Sequence, residues 1–245
     1  MDNFPNIIFE DENILVVDKP AGLIVNNSDT SRHVLTLQTW AEKKIGTFDL
    51  LKQNKSEFEE RGGVVHRLDK ETSGIVILAK NEDAFIELQK QFKDRVVKKT
   101  YVALCHGKIV PPDGEINVPI GRLPWNRTKF GVISEGRESK TLYKVISYKI
   151  LDMGKISEDL SLIEAYPQTG RTHQIRVHMR YLGYPIFSDE LYAGRKIMKR
   201  DRKLLPRHFL HATRISFDHP VTGEHLTLES SLPPELVDLL STLTI

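Results

Sequence analysis

The chain has 245 residues, 40% hydrophobic and 28% charged, with a net charge of +2 and one cysteine, Cys105. That length buries a sizeable core as one large domain or two small ones, while a single cysteine excludes an internal disulfide framework or a zinc site built from several thiolates. The acidic start MDNFPNIIFEDE is no secretory signal, and runs such as Ile75 to Ala79 fall far short of the roughly 20 residues a bilayer crossing needs, so the expectation is a soluble, cytoplasmic protein.

Ile7–Phe9 and Ile14–Val17 read as strands around the turn signal Asp11-Glu12-Asn13, and Lys19-Pro20-Ala21-Gly22 sets a tight turn after them. Val34, Leu37, Ala41 and Ile45 recur at helical spacing and predict a helix over 34–45. Residues 49–61 are polar and charged, the pattern of a loop or a weakly packed helix. Gly74–Lys80 reads as a buried strand. Asn81 caps a predicted helix with Ala84, Phe85, Leu88 and Phe92 on one face. Strands are expected near 100–106, 141–148, 160–166, 209–217 and 225–228, and Pro233 or Pro234 opens a terminal helix over Leu236, Leu239 and Leu240. No linker-like stretch divides the chain, which predicts one α+β domain over 1–245 with a large sheet.

The balanced charge hides an uneven distribution. Residues 1–66 carry a net −4 and the remainder +6. The densest basic stretch runs from Arg195 to Arg207 and is opposed in sequence only by Asp201; a second holds Lys93, Arg95, Lys98 and Lys99. Each suits a phosphate backbone, but either one alone fits a solvated face better, since charge runs are mostly surface. No phosphate-cradling glycine loop, nucleophile elbow or H-E-x-x-H occurs, and His208 with His211 lacks a third metal ligand nearby. Nothing asks for a nucleotide or metal cofactor.

Two segments concentrate polar groups. In Val64-Val65-His66-Arg67-Leu68-Asp69-Lys70-Glu71-Thr72-Ser73-Gly74, an extended backbone places Arg67 and Asp69 on one face and turns Leu68 to the core. A cation beside Asp69 keeps the carboxylate ionised, which suits a nucleophile or an electrostatic stabiliser better than a general acid. The same spacing suits a structural ion pair equally well. The second segment runs from Thr169 to Arg180, where strand and helix periodicities both fit and Gly183 is placed to end a helix. Its three arginines and two histidines, interleaved with apolar positions, favour a half-buried polar site.

VVHRLDKETSGIVILAK resembles the central motif of the RluA-type RNA pseudouridine synthases. DENILVVDKPAGLIV, KKTYVALCHG, TGRTHQIRVHMRYLGYPI and LHATRISFDHPVTGE resemble four further segments of that family, in the same order, from about residue 10 to residue 230. The resemblance implies a pseudouridine synthase fold: a long, mainly antiparallel mixed sheet flanked by helices, with a central active-site cleft and a helix over 174–182. It implies that Asp69 is the catalytic aspartate, that Tyr101 stacks near the base and takes the C5 proton, and that Arg176 pairs with Asp69. Arg67 would help hold the flipped base. Lys98, Lys99, Arg171 and His173 are candidates for binding RNA, with Arg122, Arg127 and Arg180 as further phosphate contacts.

The implied partner is ribosomal or transfer RNA, and the implied protein a cofactor-free monomer. The first motif begins near residue 10, so the expectation is a catalytic domain without an S4-like domain ahead of it. One departure stands out: Phe187-Ser188-Asp189, where the family often has glycine before its aspartate, which puts the local backbone in question. Two other classes compete with an RNA uridine isomerase. A non-catalytic RNA-binding relative would have no need of Asp69, Tyr101 and Arg176 together. A hydrolase pairing Asp69 with Glu71 lacks a placed second acid.

Overall fold

The structure, a computed structural model, describes residues 4–27, 34–46, 55–154 and 157–244. The chain forms two compact units, one from residues 1–98 and 212–230, the other from 99–211 and 231–245.

In the first unit, β1 (Asn6–Glu10), β2 (Ile14–Lys19) and β3 (Ser73–Ala79) pair antiparallel in that order. β10 (Leu210–Asp218) follows β3, and β11 (His225–Glu229) closes the sheet antiparallel to it. Every residue of β3 is buried, as expected of an unbroken apolar run with no solvent face. Gly74 has a φ of +115°, and a Cβ there would sit 2.3 Å from the Ala212 carbonyl oxygen, so only glycine lets the two backbones approach. Asn81 caps α3 (Glu82–Lys93) by accepting from the Ala84 N–H at 2.9 Å, and Phe85 and Leu88 face the core. Their neighbours include Phe58, Ile75, Ile77 and Phe217, and each such side chain contributes about 1.5–3 kcal/mol by leaving water.

The first helix is shorter than its periodicity suggests. α1 spans Leu37–Ile45, because Thr36 is extended and caps it in a reciprocal box with Thr39. Val34 lies ahead of the cap and is exposed. Of the polar stretch 49–61, residues 49–54 lie outside the described residues; the rest includes the one-turn helix α2 (Glu57–Glu60), anchored by Phe58.

The second unit is built on β4 (Lys98–His106), β9 (Ser157–Pro167), β8 (Lys140–Asp152) and β5 (Asp113–Asn117), antiparallel in that spatial order. A separate hairpin pairs β6 (Ile120–Leu123) with β7 (Asn126–Val132). β5 and the hairpin are absent from the sequence-based expectation, since neither has a sustained apolar alternation. The ambiguous segment is the helix α4 (Gln174–Tyr181), and Gly183, with φ +89°, follows its C-cap. The basic stretch begins as a short helix, α5 (Arg195–Asp201), and α6 (Pro234–Thr242) packs Leu236 and Leu239 against Leu160 and Phe209. The architecture is α+β, as expected.

Candidate active site

The segment carrying Asp69 is a loop joined to the sheet by an isolated bridge from Val64 to Leu78. Val64, Val65 and Leu68 are buried, Arg67 is exposed and Asp69 is half-buried. His66 Nε2 accepts from the Ile77 N–H at 2.9 Å, tying the loop to β3. Just past Asp69 the chain turns, with the Thr72 N–H donating to the Asp69 carbonyl at 3.1 Å. The next carbonyl, of Lys70, accepts from the Gly22 N–H at 2.8 Å and from Lys19 Nζ at 3.3 Å.

Lys19 is fully buried and also donates to the carbonyls of Pro20 and Leu23, at 2.9 Å each. The Lys-Pro-Ala-Gly segment, legible in sequence only as a turn, thus clamps the loop that presents Asp69. Lys98 ends this unit, exposed, with its ammonium 3.1 Å from the Arg95 carbonyl.

In the second unit Tyr101 lies on β4 opposite Ala165 and is only 9% exposed. Lys99 is two residues earlier, on the same face of the strand. Its ammonium is 3.5 Å from the Thr169 carbonyl, and burial pushes its pKa down to about 8.

Gln174 organises the turn that follows Thr169. Its Oε1 accepts from the Thr169 hydroxyl at 2.6 Å and the Arg171 N–H at 3.0 Å, while its Nε2 donates to the Lys140 carbonyl and the Thr141 hydroxyl. Arg171 Nε donates to the Glu138 carbonyl at 3.0 Å. Behind this turn His178 is buried between Thr141 Oγ1 and the Val118 carbonyl, and burial pushes its pKa down to about 4. The ring is therefore neutral at physiological pH, with Nδ1 accepting from the Thr141 hydroxyl.

His173 and Arg176 meet at one tyrosine. His173, in the left-handed region at φ +58°, places Nδ1 2.9 Å from the Tyr192 hydroxyl, and its ring meets Phe130 edge-on. The Arg176 guanidinium lies 5.1 Å from the centre of the Tyr192 ring. Arg176 also makes a two-pronged contact with Asp189, which accepts two backbone N–H groups, of Leu191 and Tyr192, as well. Burial alone would raise the Asp189 pKa; Arg176, then the charge of His208 and the Leu191 N–H, outweigh it and hold the carboxyl below its usual range.

Ser188 lies in the left-handed region that favours glycine, with φ +61°. Its hydroxyl donates to the Leu205 carbonyl at 2.6 Å, which offsets part of the strain. Asp189 and Tyr192 were not singled out by sequence; the only signal near them is the departure at Ser188.

The basic stretch is less free than its sequence suggests. Arg200 pairs with Glu158 and Asp201, Arg202 faces Glu190, and Arg207 pairs with Glu235 while itself buried. Arg195, Lys196, Lys199 and Lys203 of the same run are exposed. Of the further phosphate candidates, the Arg127 side chain lies outside what is described, and Arg122 is exposed beside the Phe130 ring. Among the described residues, no group of three or more His, Cys, Asp or Glu side chains is placed to hold a metal.

A family model described as RNA pseudouridylate synthase matches residues 13–181. An uncharacterized RNA pseudouridine synthase of Bacillus subtilis is 35% identical over 241 residues, covering 97% of this chain and 72% of that protein. A ribosomal large subunit pseudouridine synthase D of Neisseria meningitidis serogroup B is 38% identical, over 97% of this chain but 61% of its own length. The chain thus spans less than two thirds of that relative. The solved structure of human RNA Pseudouridylate Synthase Domain Containing 1 matches 97% of this chain and 88% of that one, with a TM-score of 0.72 and 27% identity.

Proposed function

The chain belongs to the RluA-type RNA pseudouridine synthase family, whose members isomerise uridine in RNA to pseudouridine, and we propose that it acts on uridines of ribosomal or transfer RNA through Asp69. The reaction breaks the N1–C1′ bond, turns the uracil and joins C5 to C1′. The proton leaves C5, and N1 gains one. Nothing is oxidised or reduced.

In this reading Asp69 attacks covalently or assists glycosidic cleavage as an ionised carboxylate. Tyr101 takes the C5 proton, and Arg176 supplies positive charge to the reacting nucleotide. A uridine in folded RNA leaves its stack to reach Asp69, so Arg67, Lys98, Lys99, Arg171 and His173 are assigned to holding the RNA around the flipped base. The protein works as a monomeric, cytoplasmic catalytic domain.

The observation that carries the reading is the setting of Asp69. It is half-buried, next to a carbonyl gripped by the buried Lys19 and by Gly22. A carboxylate fixed by a clamped backbone suits chemistry that demands placement. A protein that only binds RNA would place a carboxylate against phosphates to no benefit. Mapping pseudouridines in ribosomal and transfer RNA from cells with and without the gene tests the assignment. Particular positions are expected to vanish on deletion and return with the wild-type gene; unchanged maps in both RNA classes contradict it.

A further inference from the structure

His106, at the end of β4, takes no part in the reaction as derived so far, yet its ring sits among charges. Nδ1 is 2.8 Å from Glu158 Oε1 on β9, and Nε2 is 2.9 Å from Asp201 Oδ2 at the end of α5. Carboxylates only accept hydrogen bonds. A neutral imidazole has one N–H and one lone pair, so it suits one of these contacts and sets its lone pair against the other; the doubly protonated ring suits both.

Arg200 completes the cluster by donating to Glu158 and to Asp201 Oδ1, so both carboxylates are shared between its guanidinium and the His106 ring. The Phe187 ring stacks on the imidazole at 5.3 Å and adds no charge. Beyond it on the same segment, Lys108 is turned to the Tyr148 ring, 5.2 Å away. Burial works against charging the ring, but the hydrogen bonds and charges of Asp201 and Glu158 overcome it and raise its pKa above the ordinary imidazole value. The contact with His106, followed by Arg200, holds the Glu158 carboxyl low against its own partial burial.

The cluster continues toward Arg176. Asp201 Oδ2, which receives His106 Nε2, also accepts the Ser188 N–H at 3.1 Å. Ser188 holds its left-handed backbone with its hydroxyl on Leu205, and the next residue, Asp189, grips Arg176. His106, Asp201, Ser188, Asp189 and Arg176 are all buried, so these contacts are shielded from water.

We propose that the His106 imidazolium is a positioning residue for Arg176, acting through Asp201 and the Ser188–Asp189 backbone. Losing the ring proton leaves Asp201 facing a lone pair and loosens the segment that fixes the guanidinium. The consequence for turnover rests on Arg176 serving the isomerisation; the contact chain does not. The direction follows from linkage: a histidine with a raised native pKa stabilises below its unfolded value, and that stabilisation disappears as pH rises through the native one.

Nitrogen-15 NMR of the full chain tests this, titrated from about pH 6 to about pH 10 to bracket a raised imidazole. His106→Gln identifies the ring signals, and Arg176→Lys identifies the Arg176 Nε–H. Both His106 ring nitrogens are expected to be protonated at neutral pH, and the Arg176 signal to shift with the same midpoint as the ring. Glu158→Gln, which keeps the fold's shape but removes one anion, should move both midpoints to lower pH together. The alkaline fall in kcat should move with them, with KM little changed. A neutral, single-tautomer ring at neutral pH, an Arg176 signal flat through the ring's titration, or an alkaline limb that stays put in Glu158→Gln overturns the proposal. If the wild type lacks isomerase activity at every pH, the isomerase reading fails, and the two NMR midpoints still decide the contact chain.

Discussion

Arg176 and Asp189 face each other along two parallel hydrogen bonds, Nε to Oδ2 at 2.7 Å and Nη2 to Oδ1 at 3.0 Å, with the Asp189 carboxylate fully enclosed. The planar guanidinium matches a carboxylate in a way lysine does not, so the pair sets the orientation of Arg176 as well as its position. Removing one member of a buried pair strands the other's charge. Asp189→Ala is expected to cost about 3–5 kcal/mol in urea unfolding at neutral pH. The Asp189 carboxyl is held below its usual range, so its contribution is complete above the unfolded value of about 4 and disappears as pH falls through the native one. The gap between wild type and variant should therefore close in acid; an equal gap at all pH values contradicts the pairing.

Ser188 gives a sharper local test. Its φ of +61° strains any residue with a Cβ, while its hydroxyl bond to Leu205 offsets some of that strain. Ser188→Gly relieves the strain and loses the bond, so stability should change by less than about 1 kcal/mol. Ser188→Ala keeps the strain and loses the bond, and should cost about 1–2 kcal/mol. Thermal unfolding of the two variants decides it; alanine tolerated better than glycine is the opposite outcome.

Burial keeps His178 neutral, with a pKa of about 4. A histidine depressed in the native state contributes stability that is complete above about pH 6.5 and is lost as pH falls through the native value. Urea unfolding across that window should show wild-type stability falling more steeply than that of His178→Gln. Equal slopes would mean that other groups carry the acid sensitivity.

Lys99 titrates at about 8, so a cation it offers to RNA fades as pH rises through that value. RNA affinity at constant salt is expected to weaken between about pH 7 and about pH 9 in the wild type, and much less in Lys99→Arg, whose charge persists. Matching profiles would place Lys99 away from the RNA.

Much of the fold could be read from local chemistry. The Asn81 cap, the unbroken apolar run of β3 and the strand alternations needed no tertiary context. The start of α1 was misplaced because Val34 keeps the apolar period past the point where the Thr36 cap breaks the helix. The β6–β7 hairpin and β5 lack an apolar alternation to announce them. At the candidate site, motif and alternation pointed to Arg67, Asp69 and the Arg176 helix. The partners that hold these groups were hidden: Lys19, Asp189 and Tyr192 become meaningful only when the chain brings them together. In the Arg195–Arg207 run three arginines find partners outside it, Arg200 with Glu158, Arg202 with Glu190 and Arg207 with Glu235, which the sequence alone does not show.

The central claim is that Asp69 carries uridine isomerisation, and tritium release from RNA labelled at uridine C5 reads it directly. Wild-type protein is expected to release tritium from ribosomal or transfer RNA, and Asp69→Asn, folded as judged by circular dichroism, is expected to lose that release by at least about a thousandfold, the scale of removing a covalent or charge-stabilising group. Release undiminished in Asp69→Asn, or none from either RNA with the wild type, would contradict the account.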